Sequence, residues 1–148
     1  MHVFEQAKGI MRADGNRHQW ASDYPSLAAV EADIKRRSSF VVEDDGAVVA
    51  YFACLPSPEP TYAKIFDGAW LDDTAPYHVI HRIASLPQAH GVFRSIIDFC
   101  RELCSNIRID THRDNHIMQH LLASNNFVYC GIIYLTSGDE RMAYQRIF

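Results

Sequence analysis

The segment from residue 78 to 127 constrains this chain most, because strand, glycine loop, helix, strand and second capped helix follow one another without interruption. Val79-Ile80-His81-Arg82-Ile83-Ala84-Ser85 reads as a strand. It feeds Gln88-Ala89-His90-Gly91-Val92-Phe93, where a helix begins that runs to about residue 105. Phe93, Ile96, Ile97, Cys100, Leu103 and Cys104 recur at helical spacing and give that helix one buried stripe. A strand over 107–111 and a helix from Asn115 to about Ser124 complete the unit. A strand that delivers a glycine to a helix start is a common way to hold a pyrophosphate. The unpaired N–H groups of the first turn point outward, and the helix dipole favours an anion there. Gly91 suits that point because a side chain would block close approach of a ligand to the backbone.

The rest of the chain frames this unit. Residues 4 to about 11 read as a helix ended by Gly15-Asn16, and Ser26 is an N-cap candidate for a second helix from Leu27 to about Arg37. Residues 40–43 and 47–52 flank Asp44-Asp45-Gly46, a hairpin signature. Three prolines between Leu55 and Pro60 predict an irregular loop, and 62–71 shows no clear period, which leaves it a weak strand or a loop. Two closing strands, 127–135 and 141–147, are joined by Ser137-Gly138-Asp139. The order predicts one mixed α/β domain over residues 1–148, with helices covering a sheet of both pairing types.

Size and charge narrow the function. A chain of 148 residues buries a proper core. A net charge of −4 offers no concentrated basic face for nucleic acid. No apolar run approaches the ~20 residues that span a bilayer, and the N-terminus lacks a leader's basic start and apolar centre. A cytoplasmic protein with its four cysteines reduced is expected. His112, His116 and His120 are spaced by four, as are Cys100 and Cys104. His112 precedes the helix, however, the cysteines belong to an apolar stripe, and neither CxxC nor HExxH is present, so no metal site is expected.

At Gln88-x-x-Gly91-x-Phe93 the chain resembles the GNAT superfamily of acyl-CoA N-acyltransferases, whose pyrophosphate loop reads Q/R-x-x-G-x-G/A. Gln88 and Gly91 match, and Phe93 stands where the family has a small residue. The strand ending Arg108-Ile109-Asp110-Thr111-His112, then Asn115, then Asn126-Phe127, resembles the family's later strand, its helix asparagine and its Gly-Phe. The resemblance implies a central mixed sheet, partly splayed and flanked by helices. The family's first edge strand has no counterpart here. It also implies transfer of an acetyl group from acetyl-CoA to a primary amine by direct attack. The alternative is a non-catalytic acyl-CoA-binding or regulatory module. The acceptor would be a small-molecule or peptide amine, and a homodimer is compatible with such a domain.

By the same resemblance, pantetheine lies along the strand at Ile83, Ala84 and Ser85, with the pyrophosphate at Gln88, Ala89, His90, Gly91, Val92 and Phe93. Asn115 takes the place of the family's cofactor-contacting asparagine, and could equally cap its helix. His81 and His112 are the candidate bases, with Asp110 to orient a histidine or bind a cationic acceptor. Strict alternation puts His81 on a face with Val79 and Ile83. Trp20, Tyr24, Trp70 and Tyr77 fall near the implied acceptor site, although core packing explains such residues equally well. The family's acidic tyrosine falls at Leu122, so either Tyr129, Cys130 or Tyr134 replaces it or the reaction proceeds without a general acid.

Overall fold

A computed structural model describes residues 1–20 and 24–148. It contains helix α1 (His2–Ala13), helix α2 (Leu27–Lys35), strands β1 (Ser39–Asp44) and β2 (Ala47–Pro56), and a short 3-10 turn at Pro60–Tyr62. Strand β3 (His78–Ser85), helix α3 (Val92–Leu103), strand β4 (Asn106–Thr111), helix α4 (His116–Ser124) and strands β5 (Val128–Tyr134) and β6 (Glu140–Ile147) follow. Local chemistry accounts for most boundaries. Ser26 Oγ accepts the Ala29 N–H at 3.2 Å and starts α2. Asp45 and Gly46 both take positive φ, 52° and 79°, which suits a two-residue turn between twisted strands. The segment 62–71 forms no strand beyond a single bridge between Phe66 and Ile132. Gly68 is required there, because a side chain would run into the Cys130 carbonyl. The expected proline loop is shorter than the sequence suggests, since β2 continues to Pro56, paired with His78.

The six strands lie in the order β1-β2-β3-β4-β6-β5, antiparallel except for β3 beside β4. Among the described residues no strand precedes α1, so β1 is the sheet edge. One face packs against α3 and α4 through Ala50, Phe52, Ile80, Ile96, Ile107 and Leu122. The other holds two smaller clusters. Val3, Phe4 and Ala7 of α1 cover Val49, Tyr51 and Ala84, and Tyr62 and Trp70 cover Val79, Ile133 and Ala143. Among the described residues no helix is long and apolar enough to cross a membrane.

Two irregularities in β3 shape the site. The parallel pairing to β4 stops after His78↔Ile107 and Val79↔Arg108. Beyond Val79 the strands diverge and leave a gap. On its other side β3 bulges against β2: Ala53 pairs with His81, yet Tyr51 pairs with Ala84. The extra residue is Arg82, at φ 54°. Ile80 and Ile83 consequently both pack toward α3 although they are three apart. The alternation expected from sequence, with Ile83 on the face of His81, is corrected by this bulge.

Asp33 of α2 holds the bulge in place. It is 1% exposed. Arg82 Nε donates to Asp33 Oδ2 at 2.8 Å, its Nη2 donates to Oδ1, and Tyr51 Oη donates to Oδ2 at 2.7 Å. Burial alone would lower the Arg82 pKa, but the bonds to Asp33 and Tyr24 raise it above the usual value. Removing one partner of a buried pair strands the other charge and costs ~3–5 kcal/mol. Asp33→Ala is therefore expected to lose about that much stability in urea titration. In Arg82→Met the same change should cost much less; equal losses in both backgrounds would mean that the two side chains are not coupled.

Candidate active site

The gap between β3 and β4 opens into two adjoining cavities. The first, about 390 Å³, lies between β3, the start of α3 and α4. Ile83, Ala84 and Ser85 line it, as do Ala89, His90, Gly91, Val92 and Phe93; Gln88 is exposed to one side. Gly91 is the N-cap of α3 at φ 70° and supplies no side-chain cap, so the first-turn N–H groups have no capping acceptor. An added Cβ at Gly91 would meet nothing within 4 Å, so it is the left-handed backbone that requires glycine. Phe93 does not fill the loop. It is 6% exposed and meets Phe127 edge-on in the core at 6.3 Å. Its departure from the small residue is absorbed inward.

Asn115 stands where the cavities meet and lines both. Its Oδ1 accepts the Met118 N–H at 2.9 Å and caps α4, while its Nδ2 donates to Gln19 Oε1 at 2.8 Å. Asn16 Nδ2 donates to the same oxygen at 2.9 Å, so this network fastens the α1–α2 connection across the cleft.

The second cavity, about 590 Å³, contains the polar cluster. Continuing the β3–β4 register sets His81 opposite Asp110, and ordinary alternation after Ile80 points His81 away from α3. His81 Nδ1 lies 4.0 Å from Asp110 Oδ2 and Nε2 lies 3.5 Å from Glu59 Oε2. Tyr62 Oη donates to Asp110 Oδ2 at 2.6 Å. Burial and the Asp110 charge push the Tyr62 hydroxyl well above its usual pKa, so it remains a neutral donor. Glu59 is lowered to about 2, chiefly by its bond to His81 and also by Thr61. The result is an imidazole between two carboxylates.

The other sequence candidates divide. Trp20 and Tyr24 line the second cavity, with Tyr24 Oη accepting from Arg82 Nη1 at 2.9 Å. Trp70 and Tyr77 line neither. Their rings sandwich the Arg108 guanidinium at 3.9 and 3.8 Å, and Arg108 is 1% exposed. His112 also lines neither cavity. Its Nδ1 accepts the Asp114 N–H at 3.0 Å, and burial together with the Arg141 cation lowers its pKa. Leu122 is 0% exposed in the core. The α4 residues that do face the first cavity, Ile117, Met118, Leu121 and Asn125, carry no acidic proton. Tyr129, Cys130 and Tyr134 line neither cavity. Among the described residues no set of three His, Cys, Asp or Glu gathers as metal ligands would. Sequence reading passed over Glu59, Tyr62, Arg82 and Asp33. Arg82 alone carried a signal, as a cation inside an apolar strand.

No protein-family model matches the sequence, and no curated protein matches it. Solved structures do. A GNAT-family acetyltransferase from Streptococcus agalactiae 2603 is 31% identical over 100% of this chain and 87% of its own, with a TM-score of 0.90. A putative acetyltransferase from Staphylococcus aureus Mu50 is 22% identical over 99% and 88%, with a TM-score of 0.66. The Bacillus subtilis N-acetyltransferase YlbP, solved in complex with coenzyme A, is 12% identical over 82% and 78%, with a TM-score of 0.55. The open sheet, splayed at a bulged strand with a glycine-started helix beside the gap, is the architecture of these acetyltransferases. The chain belongs to the GNAT family.

The Glu59 shift makes a stability prediction. Its folded value, about 2, lies below its usual 4.5, so its contribution is present above pH ~4.5 and is lost as pH falls toward 2. Across that window Glu59→Gln should lose less stability than the unaltered protein in thermal unfolding. Parallel declines would show that the Glu59–His81 contact is not formed in solution.

Proposed function

We propose that the protein is an N-acetyltransferase that moves an acetyl group from acetyl-CoA to a primary amine by direct attack. The carrying observation is the arrangement of the two cavities. They share Met11, Ile83, Asn115 and Met118, and His81 stands on the side away from the α3 start. Donor and acceptor can therefore approach from opposite ends and meet at the gap. The relative from Bacillus subtilis was solved with coenzyme A, which supports an acyl-CoA donor here.

In this reading Ile83, Ala84 and Ser85 run beside pantetheine, and the N–H groups after Gly91 receive the pyrophosphate. The divergence of β4 beyond Val79 leaves β3 backbone groups unpaired on that side, where an N–H near Ile83 or Ala84 can polarise the thioester carbonyl. The acceptor arrives as an ammonium ion attracted to Glu59 and Asp110. His81 takes its proton, and the resulting imidazolium is stabilised between the two carboxylates. The neutral nitrogen attacks the carbonyl carbon, the intermediate's ammonium proton passes to solvent, and the C–S bond then breaks with CoA leaving as a thiolate. Tyr62 holds Asp110 in orientation and takes no part in the proton transfer.

A non-catalytic acyl-CoA-binding module is the second reading, favoured by the burial of Leu122 where an acid is usual. One experiment separates them. Acetyl-CoA at ~100 times its dissociation constant adds about 2.7 kcal/mol, or roughly 5–10 °C in the unfolding midpoint. That shift is expected with acetyl-CoA and CoA but not with ATP, along with acetylation of amines in a screened panel. His81→Gln should keep the shift and lose ~10²–10⁴-fold in kcat. A shift without turnover would leave the binding module, and no shift would end both readings.

A further inference from the structure

The second cavity holds a cation that the acetyl-transfer reading does not use. Arg141, at the start of β6, is 5% exposed and lines this cavity. Its Nη1 donates to the Glu140 carbonyl at 2.9 Å and its Nη2 to the Gln19 carbonyl at 3.0 Å. Both acceptors are neutral. A guanidinium has five N–H bonds, so most of its hydrogen-bonding capacity is left over. Among the described residues Arg141 enters no ion pair. The adjacent carboxylate of Glu140 is taken by Arg113 at 3.1 Å. Other buried and half-buried cations differ: Lys8 has Glu5, Arg82 has Asp33, and Arg108 has Asp73 and two aromatic faces. A buried charge is expensive without a counter-ion, and Arg141 is placed as if its counter-ion arrives with a ligand.

Register fixes where that ligand would sit. Asp110 pairs with Ala143, and Arg141 is two residues before Ala143 on the same strand. Arg141 and Asp110 therefore share a face of the sheet, as diagonal neighbours with Cα atoms ~7–8 Å apart. The cavity is lined by the carboxylates of Glu59, Asp110 and Asp139 around His81, and by the cations of Arg36, Arg82 and Arg141. The start of α3, where the donor's phosphates are placed, belongs to the other cavity, which Arg141 does not line.

We infer that the acceptor amine carries an oxyanion, a carboxylate or a phosphate, which Arg141 binds while the amine faces His81. This rests on the acetyl-transfer reading for the chemistry, but the contact itself is a binding event. A guanidinium fork matches both oxyanions, and hydrogen bonds to charged groups are worth roughly 10- to 100-fold in affinity.

The test uses the full chain and pairs of probes differing only in the anion: amino acids against their amides, and 2-aminoethyl phosphate against ethanolamine. Binding is read by titration calorimetry with CoA present, and turnover with acetyl-CoA. The anionic member of one pair class should bind about 10- to 100-fold more tightly, and which class does so separates carboxylate from phosphate. Arg141→Met should collapse that ratio, and Arg141→Lys should restore part of it. If Arg141→Met does not fold, the ratio in the unaltered protein decides alone. Equal binding of both members in every pair overturns the inference, as does a preference that survives in folded Arg141→Met. Selective binding without any acetylation upholds the oxyanion contact and overturns the transfer reading instead.

Discussion

One ion pair sets the geometry on which the cleft depends. Asp33 reaches from α2 to Arg82, and it does so only because the chain at Arg82 takes φ 54° and inserts one residue into β3. That insertion has two consequences. It places His81 and Arg82 on the same side of the sheet, so the imidazole meets Asp110 while the guanidinium meets α2. It also shifts the backbone alternation beyond Arg82, returning Ile83 to the α3 side. A non-glycine residue in this backbone region is strained, and the buried bidentate pair with Tyr51 as third partner compensates for the strain. The same bonds tie α2, β2 and β3 together around one carboxylate.

The cleft divides its chemistry by element. The end proposed for the donor is built from backbone and apolar side chains: the open edge of β3, the start of α3, and Met118 and Leu121 of α4. Such a surface suits a long ligand recognised by its amides and phosphates. The end proposed for the acceptor is built from charged side chains on β3, β4, β6 and the proline turn. Because parallel pairing ends at Val79, these charges face a space rather than one another across a closed ladder. Asn115 joins the halves by capping α4 with one side of its amide and binding Gln19 with the other. The capping and cofactor-side readings of this residue concern one place in the fold.

The elements that local chemistry dictates were legible in the sequence. Ser26 as a cap, Asp45-Gly46 as a turn and the α3 stripe each fix a boundary without help from distant residues. The bulge was not legible, because the conformation of Arg82 is imposed by Asp33, 49 residues away, and no glycine or asparagine marks it. Glu59 and Tyr62 were hidden for a related reason. They sit in a proline-rich turn whose own pattern is irregular, and their role appears only when the turn is folded over β4. Trp70 and Tyr77 drew notice as loop aromatics near an acceptor, whereas the buried guanidinium of Arg108 needed their faces. Arg141 was read only as the first residue of a strand. Its interest comes from burial and from the prior engagement of Glu140, neither of which leaves a local signature.

The lack of a proton donor on the cavity face of α4 fits the proposed direct attack once leaving-group abilities are compared. A thiol ionises near pH 8.5 and a primary alkyl amine near 10.4, so a thiolate is the better leaving group of the two. An intermediate that retains its ammonium proton can still expel the amine and revert. Once that proton is lost, breaking the C–S bond is the favoured path, and the thiolate can take a proton from solvent. In the proposed reaction the demand on the protein therefore falls on proton removal from the acceptor, beside Glu59, His81 and Asp110, rather than on proton delivery to sulfur. Leu122 can then remain a core residue without depriving the cleft of a required group, and the β3–β4 gap concentrates its ionisable side chains on the side where the proposed amine would lose its charge.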